Sequence, residues 1–77
     1  FTTGNCAIID FYYLMEERHV RLKLKQSGRV FDAIMFKIDK RVKEKIITGN
    51  KINILYKIEE NIWRDFKTIQ LVILDLF

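Results

Sequence analysis

A single cysteine, Cys6, rules out an internal disulfide and a cysteine-rich zinc site, so the fold must hold without covalent or metal staples. That usage fits a reducing cytoplasm. No apolar run approaches the roughly 20 residues needed to span a bilayer, which excludes a transmembrane helix and leaves no membrane partner to expect. The chain starts at Phe1 without a charged-then-apolar leader, and it reads as a piece cut from a longer protein. Proline is absent, and no repeat, low-complexity stretch or linker interrupts the 77 residues. A chain of this size can bury only about 60% of its unfolded surface, which allows one core and no second domain.

What is present points to a small globular domain. The sequence is 49% hydrophobic and 13% aromatic, too apolar for a disordered tail, while a mean hydropathy of −0.03 is too low for a membrane protein. Charge is distributed unevenly. Residues 1–17 carry only acids, Asp10, Glu16 and Glu17, whereas 18–29 carry Arg18, Arg21, Lys23, Lys25 and Arg29 with no acid among them. The net charge of +4 understates this local excess, and local density attracts a polyanion. Nucleic acid or an acidic protein surface is the leading kind of partner.

The odd positions from Ala7 to Met15 are apolar beside a mixed second face of Ile8, Asp10, Tyr12 and Leu14, as in a first strand within a sheet. After Glu16-Glu17-Arg18, residues 19–25 alternate strictly, with Val20, Leu22 and Leu24 on one side and His19, Arg21, Lys23 and Lys25 on the other. Gln26-Ser27-Gly28 supplies a turn, and Val30 to Phe36 forms a third strand. Asp39 as N-cap, Ile38, Val42 and Ile46 at four-residue intervals, and Gly49 as a stop predict a short helix over 40–48. Ile52, Ile54, Tyr56 and Ile58 share a face of a fourth strand, and Thr68 to Leu76 makes a fifth beyond the polar and aromatic connection 59–66.

Three strands, a helix and two strands follow the order of an OB-fold, an all-β, five-stranded Greek-key barrel with a short helix between strands three and four. Closure explains strands that are apolar on both sides yet leave no sticky edge. An SH3-like barrel needs a shorter connection between strands three and four, and a ferredoxin-like fold needs a helix where only 16–18 is available.

Several stretches resemble the OB domain of RecJ-type single-strand-specific exonucleases. Arg18-His19-Val20-Arg21-Leu22-Lys23-Leu24 resembles the family's kHLKL strand, and Gly28 to Phe36 its G…LDAIGF strand. Asn61-Ile62-Trp63 followed by Ile69 to Asp75 is similar to the N-x-W…LQL…D ending, and Phe1 to Asn5 to the FGPGN segment leading into the domain. Residues 1–6 would then be a linker from a preceding domain, with the whole of 1–77 a single OB unit. The chain departs from the pattern at Met35 and Asp65, where the family has Gly, and at Thr2 and Thr3, where it has Gly-Pro. The resemblance implies a parent enzyme that degrades single-stranded DNA from the 5′ end in repair and recombination, with a Mg- or Mn-dependent catalytic core. This fragment has one His, no His-Asp cluster, no phosphate loop and no Cys-His pair, so it supplies no catalytic set and needs no cofactor of its own.

The polar face of the second strand would set cations about 7 Å apart, close to the phosphate spacing of an extended single strand. The candidate nucleic-acid contacts are therefore Arg18, Arg21, Lys23, Lys25 and Arg29, with Trp63, Arg64 and Lys67 around the last hairpin. Trp63 would stack a base while Arg64 meets a phosphate. A solvated outer face, and a Trp folded back on the barrel wall, are the competing readings. Phe66 and Tyr12 are expected as packing, His19 as a surface polar residue, Cys6 as an inert thiol, Asn61 as a turn hydrogen-bonder and Asp75 as a strand-end cap. Lys40, Arg41, Lys43 and Lys45 read as a solvated helix face. The expectation is an accessory domain that holds single-stranded DNA for a nuclease core elsewhere. The alternative is an OB domain that docks on the parent's other domains without touching nucleic acid.

Overall fold

The alternation of residues 19–25 becomes strand β2, His19–Gln26, in a computed structural model that describes residues 1–77. Val20, Leu22 and Leu24 point inward and are buried, while Arg21, Lys23 and Lys25 point outward. Its neighbour β3, Arg29–Met35, follows a two-residue turn in which Ser27 and Gly28 take φ of 49° and 79°. Two left-handed residues match the twist of a tight hairpin and pin its register, with Gln26 opposite Arg29 and Lys23 opposite Asp32. Met35, where a Gly was the family pattern, lies in the core opposite Val20.

Strand β1, Thr2–Leu14, is longer than the expected 7–15 and does not keep one alternation. A bulge between Ile8 and Asp10 switches its faces. Before it, the even positions Cys6 and Ile8 are buried; after it, the odd positions Phe11 and Tyr13 pack on the core. Ile9, at the bulge, is exposed. Residues 1–6, expected as a lead-in, are laid into the barrel: Thr2 and Thr3 pair with Leu55 and Ile54, and Thr3 Oγ1 donates to Tyr56 Oη at 3.1 Å.

Helix α1, Lys40–Lys45, is capped by Asp39, whose carboxylate accepts from Val42 N at 2.9 Å. It ends three residues before the expected stop, because the Asn50 side chain takes the Lys45 carbonyl at 2.9 Å. Gly49 (φ 91°) serves the turn into the next strand and donates its N–H to Ile8 O. Val42 and Ile46 are buried and Ile38 packs beside them, so the helix contributes one apolar stripe to the core.

The segment 59–66 is not the connection expected from its polar composition. Strands β4, Lys51–Trp63, and β5, Phe66–Leu76, continue through it and meet at a two-residue turn, Arg64-Asp65, with φ of 47° and 67°. Asp65 thus adopts the conformation that a Gly would favour. Antiparallel pairing runs from Ile54–Leu76 out to Trp63–Phe66. β1 reaches β4 only over Lys51–Leu55, and β3 reaches β5 only at Leu71 and Val72, so the outer half of this hairpin projects as a two-stranded arm.

The strand order β1-β2-β3-β5-β4 closes on itself, with a parallel β3–β5 contact and α1 between β3 and β4: a five-stranded OB-fold. Thirteen buried apolar residues from all six elements form its core, and no polar residue is buried.

Candidate nucleic-acid interface

Because β2 alternates, Arg21, Lys23 and Lys25 leave the barrel on one side, about 7 Å from one to the next. None of the three lies in an ion pair. Their surroundings differ, however. Lys25 is opposite Ala7 and Val30, and Arg21 is opposite Tyr12 and Ile34, whereas Lys23 stands between Asp10 on β1 and Asp32 on β3. Two carboxylates across from one ammonium offset its field, so the cationic character of this face rests on Arg21 and Lys25.

Arg21 sits where two cavities join. One, of about 270 Å³, lies over β1, β2 and β3 between Asp10, Tyr12, Arg21, Lys23 and Asp32. The other, of about 310 Å³, runs from Arg21, Asp32 and Ala33 to Thr68, Ile69 and Gln70 of β5. Arg21, Asp32 and Ala33 line both, so the two make one cleft bounded by the base of the arm. Tyr12, expected as packing, is 56% exposed beside Arg21, because the Ile9 bulge turns it outward.

At the arm's end Trp63 and Phe66 face each other across the hairpin and are 66% and 71% exposed. Trp63 is not folded onto the barrel wall, and Phe66, expected as packing, is equally free. The Arg64 guanidinium covers the Trp63 ring at 4.6 Å. Phe66 is two residues beyond Thr68, the outermost part of β5 in the cleft, so the aromatic tip stands about 7 Å further out. Lys67 is engaged within the arm, its Nζ 2.6 Å from Glu60 Oε1.

The remaining cations flank this face. Arg18 precedes β2 in the turn from β1, where its carbonyl accepts from Ile38 N, and Arg29 opens β3 at the opposite end, a span of about 24 Å along β2. The helix cations are partly engaged: Arg41 pairs with Asp75 at 3.3 Å, and Lys43 pairs with Glu17 at 3.1 Å and lies over the Tyr13 ring. Asp75 also accepts from Leu76 N at the end of β5.

Two further expectations change. His19 is half-buried rather than a free surface group, its ring edge-on to Phe36 at 5.0 Å and its Nδ1 accepting from Lys37 N at 3.1 Å. Asn61 does not hold the turn; it lies three residues before it, opposite Thr68. Cys6 is fully buried, and burial raises its thiol pKa above the ordinary 9.0. No three His, Cys, Asp or Glu side chains gather closely enough to hold a metal ion.

Sequence reasoning overlooked Asp10, Asp32, Thr68 and Gln70. Asp32 was within reach, since a two-residue turn at Ser27-Gly28 places it opposite Lys23. Asp10 was hidden by the bulge, and Thr68 and Gln70 by the closure of β5 on β3.

No curated protein and no solved structure matches the chain. The family model described as the RecJ OB domain matches residues 1–75, nearly the whole sequence. With a closed five-stranded barrel, a helix between β3 and β4 and a cationic β2 face, the chain belongs to the RecJ OB domain family.

Proposed function

We propose that this OB domain binds single-stranded DNA as an accessory part of a RecJ-type 5′–3′ exonuclease of DNA repair and recombination. Membership of the RecJ OB domain family supports nucleic-acid binding and a place in a larger RecJ-type protein. The observation that carries the single-stranded-DNA reading is Arg21, unpaired and outward on β2, at the junction of two cavities that together reach from β1 to β5. Lys25 extends the track along β2, and Trp63 with Phe66 offers stacking surfaces at the arm's end. A metal-dependent core, Mg or Mn, would act elsewhere in the parent, in the cytoplasm, with this domain delivering the strand.

Binding of this kind is electrostatic. Four or five phosphate contacts give a log-log salt slope of about −3, at roughly −0.7 per contact on single strands. Titration of the 77-residue chain with labelled oligo-dT at two salt concentrations tests the proposal. Saturable binding with that slope supports it, and no binding at about 50 mM salt refutes it.

One observation favours the docking alternative. Ile58, Ile62 and Ile69 lie on the same face of the arm and are 48%, 72% and 70% exposed. These exposed isoleucines, set around the Glu60–Lys67 pair on the same face, suit packing against another domain of the parent. If it dominates, Ile62→Ser will weaken association with those domains while oligo-dT binding stays absent.

A further inference from the structure

The cleft contains a group that a phosphate track does not need. Asp32 lines both cavities with Arg21, is exposed, and belongs to no ion pair. Asp10 shares the first cavity, but its carboxylate accepts from Phe11 N at 2.8 Å, leaving Asp32 the freer acceptor. Across the second cavity stand Thr68 and Gln70, whose side chains both donate and accept. A carboxylate beside a polyanion repels it, so Asp32 weakens any contact that involves phosphates alone. It becomes favourable where it accepts hydrogen bonds from a base.

In a single strand the Watson–Crick edge is free to be read. Guanine offers two adjacent donors there, N1–H and the 2-amino group, which match the two oxygens of a carboxylate. Cytosine and adenine each offer one amine beside a ring nitrogen acceptor. Thymine offers a single N–H between two carbonyls, which a carboxylate repels. Arg21, which lines both cavities with Asp32, can hold the phosphate of the same nucleotide, and Tyr12 opposite Arg21 supplies a ring face for the base.

We propose that Asp32 reads the Watson–Crick edge of a guanine held in the cleft between β2, β3 and β5, so that this domain prefers guanine-containing single strands to oligo-dT. The inference rests on the single-stranded-DNA reading above. It adds a base preference to binding that would otherwise ignore sequence.

Fluorescence anisotropy with three labelled strands of equal length, oligo-dT, alternating dT-dG and alternating dT-deoxyinosine, tests it. The dT-dG strand should bind about tenfold tighter than oligo-dT, and deoxyinosine, lacking the 2-amino donor, should lose part of that gain. Asp32→Asn should tighten oligo-dT binding and abolish the preference, with far-UV circular dichroism confirming the barrel. Equal affinity of the native chain for oligo-dT and dT-dG, or a preference kept by Asp32→Asn or undiminished by deoxyinosine, overturns the inference and leaves single-strand binding standing. Failure of all three strands to bind overturns both.

Discussion

The guanidinium of Arg64 lies 4.6 Å over the indole of Trp63, at the end of a two-stranded arm that β4 and β5 extend beyond the barrel. The contact occupies one of the ring's faces. The opposite face of the indole is the one left open, and under the proposed function it is the face on which a base would stack, with Arg64 behind the ring. Phe66, paired across from Trp63, widens the apolar platform.

Trp63→Ala should weaken oligonucleotide binding by about 1–3 kcal/mol, the range for one stacked base, without changing the salt dependence. Anisotropy titrations at two salt concentrations check both parts. A changed slope with unchanged affinity at low salt would mean that the tip acts through charge instead.

Three of the candidate phosphate contacts, Arg21, Lys23 and Lys67, should behave differently. Arg21→Glu should produce the largest loss of affinity and flatten the salt slope by about 0.7 or more. Lys23→Glu should have a smaller effect, because Asp10 and Asp32 already oppose that ammonium. Lys67→Gln should leave the slope unchanged, since Glu60 holds Lys67 within the arm. Equal slopes for all three variants would refute the ranking.

Asp65 occupies a left-handed position, φ 67°, at the arm's turn. Asp65→Gly removes the side-chain strain of that conformation and should stabilise the turn by about 0.5–1 kcal/mol. The gain is local, so it is best read from slower amide exchange at Trp63 and Phe66 rather than from the global melt.

Burial raises the Cys6 thiol pKa above 9.0. The folded state holds that proton more tightly than the unfolded chain, so this contribution to stability is complete below 9.0 and declines as pH rises through the higher folded value. Alkylation by iodoacetamide at about pH 8 should be much slower in the native chain than in denaturant. Equal rates would place Cys6 at the surface.

Much of the architecture was readable locally. The alternation of 19–25, the Ser27-Gly28 turn and the Asp39 cap each report a nearby physical requirement: one buried face, two left-handed residues, one orphan N–H to satisfy. The arm was not readable, because Glu59 to Phe66 resembles a loop until Ile58, Glu60 and Ile62 are set against Leu71, Ile69 and Lys67. The half-burial of His19 was also hidden, since it depends on Phe36 and Lys37 returning to it after β3.

The amino-acid order alone determined that β2 would carry Arg21, Lys23 and Lys25 on a single side, since period two is a property of the strand backbone itself. Only the tertiary structure decided what those cations face. The bulge at Ile9 brings Asp10 opposite Lys23 and turns Tyr12 outward, and the parallel closure of β3 on β5 sets Thr68 and Gln70 across a cleft from Arg21 and Asp32. Bulges and long-range pairing depend on hydrogen-bond partners far along the chain, and no local pattern records which partner a strand will find.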